Sequence, residues 1–257
     1  MVNLKITKIR GGKREETEAT LVQEVPLTIT LRDTELATFL CTPVDLEELI
    51  LGFLFTSGII TKKEDIKELR IDRKRWTAYL ELTQESVLKD MVFKRVYTSG
   101  CGRGLFFYNA FDLISKKEKI TSAFSINSDT IFEHMSHFQK KSEWFQKTGG
   151  IHSAAIADKN GILVFKEDIG RHNAIDKIIG CCLKEKIPLG RKVLLTTGRI
   201  SSEVLFKVHK SKCPIIISRS APSDQAVKLA IEMNITMAGF VRGKSMNIYS
   251  VPHRIID

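Results

Sequence analysis

The chain is predicted to be an α/β protein: a mixed sheet with flanking helices, preceded by a smaller N-terminal α+β domain. Three patterns predict this. The C-terminal half alternates β-rich runs with amphipathic helical stripes, which implies right-handed crossovers and a parallel portion of sheet. A hairpin pattern at the start of that half adds antiparallel strands. The N-terminal part instead groups strands around a single helix, and the boundary is placed near residue 95, giving domains 1–95 and 96–257. With 257 residues, 43% hydrophobic and 27% charged, the chain has enough apolar material for these cores, which excludes intrinsic disorder.

Residues 1–40 read as strands, with Leu27 to Leu31 and Leu36 to Leu40 alternating around Arg32-Asp-Thr-Glu35 as a hairpin. Thr42-Pro43 with Asp45 supplies an N-cap, a proline at the first helical position and a first-turn acid. The helix that follows carries one apolar stripe, Leu46, Leu49, Ile50, Phe53 and Leu54, and is ended by Gly58. Lys62 to Arg75 holds seven basic and four acidic residues and reads as a solvated face, with an anion site as the alternative; a strand follows at Thr77 to Leu82. A second helix begins near Ser128, with Ile131, Met135, Phe138 and Phe145 as its stripe, and stops at Gly149-Gly150. Ile151 to Ala157 and Ile162 to Phe165 flank Asp158-Lys-Asn-Gly161 as a second hairpin. Ile175, Ile178, Ile179 and Cys182 then mark a helix. The alternation continues as strand Val193 to Thr196, helix Ser201 to Lys210, strand Ile215 to Ser218, helix Ser223 to Met233 and strand Ile235 to Val241.

Five cysteines without paired spacing do not form a disulfide framework and fit a reducing compartment. The N-terminus lacks the apolar core of a secretory signal, and no apolar run reaches the roughly 18 residues a bilayer span needs. A cytoplasmic protein with no membrane association is expected.

Three sets of residues could carry chemistry. Cys101 lies between Gly100 and Gly102 with Arg103 beside it, where a flexible backbone and a guanidinium would favour the reactive thiolate; the alternative is a tight turn with an incidental cysteine. Cys181, Cys182 and Cys213 read as packing. The second set joins Thr148-Gly-Gly-Ile-His-Ser-Ala154 to Glu167-Asp-Ile-Gly-Arg-His-Asn173, polar residues at strand ends where open α/β sheets place ligands. His152 and His172 stand there as ligand or structural groups, whereas His134, His137, His209 and His253 read as structural. The third set is Thr196-Thr-Gly-Arg199, Ser218-Arg-Ser-Ala-Pro-Ser223 and Gly239-Phe-Val-Arg-Gly-Lys-Ser245, which suit phosphate oxygens or ordinary turns. The last has three residues between its glycines, one short of a P-loop. No zinc-deaminase or H-E-x-x-H pattern occurs, so no metal site is expected.

Taken in order, Thr98-Ser-Gly-Cys-Gly, Thr148-Gly-Gly-Ile-His, Glu167 to Lys177, Thr197-Gly-Arg199, Ser220-Ala-Pro-Ser223 and Gly239-Phe-Val-Arg-Gly243 resemble the FdhD family of formate dehydrogenase accessory sulfurtransferases, from about Val25 to Ile255. The resemblance implies a cytidine-deaminase-like α/β domain without the deaminase zinc. It implies a carrier that takes sulfur from a cysteine desulfurase as a persulfide and passes it to the molybdenum or tungsten of a bis(guanine dinucleotide) cofactor destined for formate dehydrogenase. The persulfide maps onto Cys101 and the cofactor-binding turn onto Phe240, Val241, Arg242, Gly243, Lys244 and Ser245. Arg171, His172, Arg199 and Ser220 are expected to help hold phosphates and guanines, with Glu167 and Asp168 bonding guanine or orienting His172. A homodimer is plausible from the family. Where members commonly carry C-G-x-C, this chain has Cys101-Gly-Arg-Gly104, which motivates a second reading, a cofactor-presenting chaperone without sulfur transfer.

Forty basic and thirty acidic residues give a formal charge of +10, which favours anionic partners. Eight basic and two acidic residues fall within Lys184 to Lys212, which favours a local anionic ligand or acidic partner over nucleic acid.

Overall fold

The computed structural model describes residues 1–32, 34–83 and 118–257, and the backbone of the strands at 93–97 and 103–107. Two sheets organise it. The first has four strands, β3 (Val25–Leu31), β4 (Thr34–Cys41), β5 (Ile66–Asp72) and β6 (Thr77–Leu82), in the order β4-β3-β6-β5. β3 pairs with β4 as the expected hairpin and with β6 in parallel. Ahead of it, β1 (Val2–Arg10) and β2 (Lys13–Leu21) form a separate exposed hairpin. The charged run from 62 to 75 holds a strand that was not expected, β5. A register shift between Ile66 and Glu68 interrupts the alternation that would have revealed it.

Helix α1 (Leu46–Thr56) covers this sheet with its apolar stripe, Leu46, Leu49, Ile50, Phe53 and Leu54, all buried. Its cap differs from expectation: the residue before the helix is Asp45, in a left-handed conformation with no side-chain cap, and its carboxylate pairs with Lys166 at 2.7 Å. Thr42 is withdrawn into a buried network described below.

The second sheet has six strands in the order β11-β10-β12-β13-β14-β15. They are β10 (His152–Ala157), β11 (Ile162–Asp168), β12 (Val193–Thr196), β13 (Ile215–Ser218), β14 (Thr236–Arg242) and β15 (Ser245–Ser250). β12, β13 and β14 run parallel, and β10, β11 and β15 are attached antiparallel, so the sheet is mixed as predicted. Successive side chains face opposite layers. Ala154, Ile156, Leu194, Ile216 and Met237 pack under α4 (Arg171–Lys184), α5 (Ser202–Lys210) and α6 (Asp224–Glu232). Ala155, Ala157, Leu195 and Ile217 pack under α2 (Ser128–Lys141) through Ile131, Met135 and Phe138. Strands covered on both faces must be apolar throughout, which is why these read as continuous runs. The helix expected to run from 128 to Gly149 breaks at Ser142, giving α2 and a short α3 (Glu143–Thr148). Ser142 caps α3 by accepting from Phe145 N–H at 3.2 Å and donates to Glu167 of β11. Elsewhere β9 (Ile126–Asn127) pairs with β16 (Ile255–Ile256), and the backbone of β7 (Phe93–Tyr97), which spans residue 95, pairs with β8 (Arg103–Phe107).

The two sheets meet where α1 crosses α4. A β-carbon on Gly52 would lie 1.8 Å from the Asp176 carbonyl oxygen, and one on Gly180 would lie 1.9 Å from that of Glu48. Only hydrogen fits at either position. Around this crossing lies a buried polar network. Lys177 Nζ is 2.6 Å from Asp168 Oδ2 and donates to Thr42 Oγ1 at 2.7 Å. Asp168 Oδ2 also accepts from the amide and hydroxyl of Thr42, and its Oδ1 from Gly170 N–H and Asn173 Nδ2. Asp176 is paired with Lys207 at 2.8 Å and accepts from Thr56.

Five of the eight basic residues from Lys184 to Lys212 are drawn into ion pairs. Lys184, Lys186, Lys192, Lys207 and Lys212 are paired with Glu47, Glu64, Asp158, Asp176 and Glu118. Among the described residues no helix is long and apolar enough to cross a membrane.

Replacing Gly180 by alanine is expected to cost about 3 kcal/mol in urea unfolding, because the clash is with backbone. Gly190→Ala, where a β-carbon meets nothing within 4 Å, should stay within about 0.5 kcal/mol. Lys177→Met, which strands the buried Asp168 carboxylate, should cost roughly 3 to 5 kcal/mol.

Candidate functional site

All the strand ends bearing the polar motifs lie at one end of the six-stranded sheet: the carboxyl ends of β11, β12, β13 and β14 and the amino end of antiparallel β10. A cavity of about 750 Å³ opens there. One wall is helical, from Phe138 and Gln139 of α2, Ser142, and Phe145 and Gln146 of α3; Gly149, Gly150 and Ile151 form the turn into β10. The opposite wall holds His152, Ser153, Thr197, Arg219, Ser220 and, from the end of β14, Phe240 and Arg242. Ligands of open α/β sheets bind outside the carboxyl ends of the parallel strands, and this cavity occupies that position.

The loops around it are pinned to one another. Thr197 N–H donates to the Ser153 carbonyl at 3.1 Å, and Ser153 N–H returns a bond to Thr197 Oγ1 at 3.1 Å. Ser218 Oγ donates to the Gly198 carbonyl at 2.7 Å and accepts from Ser220 N–H at 2.9 Å. Phe240 N–H donates to the Ser220 carbonyl at 3.2 Å. Two glycines are required by close approach. A β-carbon on Gly239 would meet the Ser220 carbonyl at 2.7 Å, and one on Gly198 would meet Arg171 Cβ at 2.8 Å, so the Arg171 stem lies across the Thr197-Gly-Arg199 loop. Phe240 adopts φ +53, which turns an exposed ring into the cavity rim.

The residues singled out in the sequence divide into three groups. Ser220, Phe240 and Arg242 line the cavity. Val241 is fully buried in the core beneath the sheet, while Gly243 (φ +56), Lys244 and Ser245 form the exposed turn between β14 and β15. Arg171, His172 and Arg199 do not line the cavity but are close enough to His152 for their charges to act on it. His172 Nε2 lies 3.0 Å from Glu203 and 3.4 Å from Ser201 Oγ, so Glu203, and not Glu167 or Asp168, orients it. Asp168 is fully buried and committed to Lys177, Thr42, Gly170 and Asn173, which removes it as a guanine ligand. Glu167 lies beneath the cavity, bonded to Ser142 and Ser153, and burial raises its pKa. Arg219 and Ser153, which also line the cavity, fall within the segments singled out in the sequence, whereas Ser142 does not. The role of Ser142 depends on a residue 25 positions away.

Cys101, with residues 98–102, lies outside the described residues. The four other cysteines are free thiols. Burial pushes the pKa of Cys41, Cys182 and Cys213 up to about 12, and raises that of Cys181. His134 and His209 are structural, with Nε2 2.7 Å from the carbonyls of Asp158 and Glu118.

A model of the FdhD/NarQ family matches residues 22–256. The chain belongs to this family. It is 43% identical over 238 residues, 92% of this chain and 90% of the relative, to a sulfur carrier protein FdhD of Bacillus pumilus. It is 40% identical over 261 residues, 99% of each chain, to the protein of that name from Bacillus subtilis. Among solved structures, one described as a candidate formate dehydrogenase accessory protein from Desulfotalea psychrophila superposes with a TM-score of 0.81 over 99% of both chains at 25% identity. In this FdhD/NarQ chain, the Glu167 to Lys177 motif is in large part a folding device: Asp168, Asn173, Asp176 and Lys177 face inward to protein partners, and Arg171 and His172 border the site.

Burial, then the charges of Arg171 and His172, hold His152 below its ordinary 6.5, with Arg199 adding to the effect and Asp168 opposing it. The unfolded chain therefore binds this proton at higher pH than the folded one. The stability contributed is full above pH 6.5 and is lost as pH falls toward the folded value. His152→Gln should flatten that acid-side loss in urea unfolding series.

Proposed function

We propose that this protein is a sulfur carrier for the maturation of formate dehydrogenase. In this reading Cys101 takes sulfur from a cysteine desulfurase as a persulfide and passes it on, as a sulfurtransferase. The acceptor is a substrate, the molybdenum or tungsten of a bis(guanine dinucleotide) cofactor, whose nucleotide portion occupies the strand-end cavity. The observation that carries the reading is that cavity. Arg219 and Arg242 supply guanidinium forks suited to a diphosphate, and Ser153 and Ser220 supply hydroxyls. The Phe240 ring offers a face against which a purine can stack. Its volume lies in the range of small-molecule sites. Relatives named as sulfur carrier proteins, 40 to 43% identical, support the role.

The cysteines support the choice of nucleophile. Persulfide chemistry needs a thiolate, and the four described thiols are held protonated by burial. Cys101, between two glycines and two residues before Arg103, has the sequence context of a reactive thiol. A single cysteine suffices for a persulfide carrier, because the outer sulfur is delivered without a resolving thiol. Glycine at position 104 therefore removes a disulfide route and leaves the carrier role intact.

After incubation with a cysteine desulfurase and cysteine, intact-mass analysis should show one added sulfur on the wild-type chain. Cys101→Ala should show none and should fail to restore formate dehydrogenase activity in a strain lacking the carrier. A Cys101→Ala protein that still gains sulfur and restores activity would refute the role of this residue. A wild-type protein that restores activity without ever gaining sulfur would favour a cofactor-presenting chaperone.

A further inference from the structure

We propose that His152 is a phosphate-binding residue of the cavity, one that takes up a proton from solvent when an anionic ligand enters and then donates its Nε2–H to a phosphate oxygen. This rests on the reading of the cavity as a nucleotide site and adds to it a residue and a proton.

The geometry prepares His152 for both charge states. Its ring forms part of the cavity wall, on the same side as Arg219 and Ser220. Nδ1 is 3.2 Å from Thr197 Oγ1. That hydroxyl accepts from Ser153 N–H at 3.1 Å and lies 3.5 Å from the Ser153 carbonyl oxygen. It can therefore accept from a protonated Nδ1 while turning its own hydrogen to Ser153, so protonation requires no rearrangement of the loop. Nε2 has no hydrogen-bond partner among the described residues, and His152 is one of the residues that line the cavity.

The charges around the ring explain why the proton arrives with the ligand. From α4 come Arg171 and His172, from the loop after β12 comes Arg199, and from the end of β11 comes Asp168, which is already bound to Lys177 and Thr42. Burial and these neighbouring positive groups disfavour the imidazolium in the free protein, opposed by Asp168. A diphosphate brings at least two negative charges to the same wall and reverses the balance. Linkage then makes the effect reciprocal: a ligand that raises proton affinity binds more tightly, by the same factor, when the proton is present.

The test uses GDP with the full chain in isothermal titration calorimetry, in two buffers of different ionisation enthalpy. Net proton uptake on GDP binding is expected at about pH 7, with affinity strengthening as pH falls from about 8 to about 6.5. The ligand's own second phosphate ionisation, near 6, works in the opposite direction and cannot produce this trend. His152→Gln should abolish both uptake and trend. In the wild type, the His152 ring resonance should titrate at higher pH with GDP than without it, a readout that needs no variant. Tight GDP binding with no proton uptake and an unmoved His152 titration would overturn the assignment of this residue while leaving the nucleotide site standing. Absence of GDP binding at every pH would overturn both.

Discussion

The structure depends on a close crossing between two helices that belong to different sheets. At Gly52 and Gly180 the backbones of α1 and α4 approach so closely that no side chain fits between them. The crossing carries the buried network of Thr42, Asp168, Asn173 and Lys177, with Leu40 contributing its carbonyl to Asn173 Nδ2 at 2.9 Å. Charges buried this deeply are tolerated only when every polar atom has a partner, and here the partners come from both sides of the crossing. Fixing Asp168 fixes Gly170 and the start of α4. That in turn sets where Arg171 and His172 stand relative to the cavity. The glycines therefore act on the site at a distance, through helix position.

The cavity is assembled on this frame from the ends of five strands. No single segment builds it. Thr197 ties its loop to β10, Ser218 ties the β13 loop to Gly198, and the Ser220 carbonyl holds Phe240. Such a lattice of short bonds keeps hydroxyls, guanidinium groups and one aromatic ring in fixed positions, which lowers the ordering cost of binding. The arginines that line the site are Arg219 and Arg242, while Lys184, Lys192, Lys207 and Lys212 are ion-paired within the fold.

Much of the fold was legible in the sequence because strands covered on two faces must be apolar throughout, and helices covered on one face must show a stripe. The β12 to β14 alternation and the α1 stripe follow directly from those requirements. β5 was missed because a bulge breaks its period, and the break at Ser142 because its cause, Glu167, is distant in sequence. In the site, Ser220, Phe240 and Arg242 were legible as strand-end residues. The density of polar groups from Glu167 to Asn173 misled for a physical reason: a carboxylate that will be satisfied by a buried lysine has the same sequence signature as one that awaits a ligand. Asp168 and Glu203 could be told apart only once their partners were in place.

The central claim is that the strand-end cavity receives the nucleotide part of a substrate to which Cys101 delivers sulfur. A crystal structure of the protein soaked with GDP tests it most directly. The account predicts the diphosphate between Arg219 and Arg242, the guanine against Phe240, and the Cys101 thiol opening onto the same cavity. GDP bound away from the ends of β12, β13 and β14, or a Cys101 thiol facing a separate surface, would contradict it.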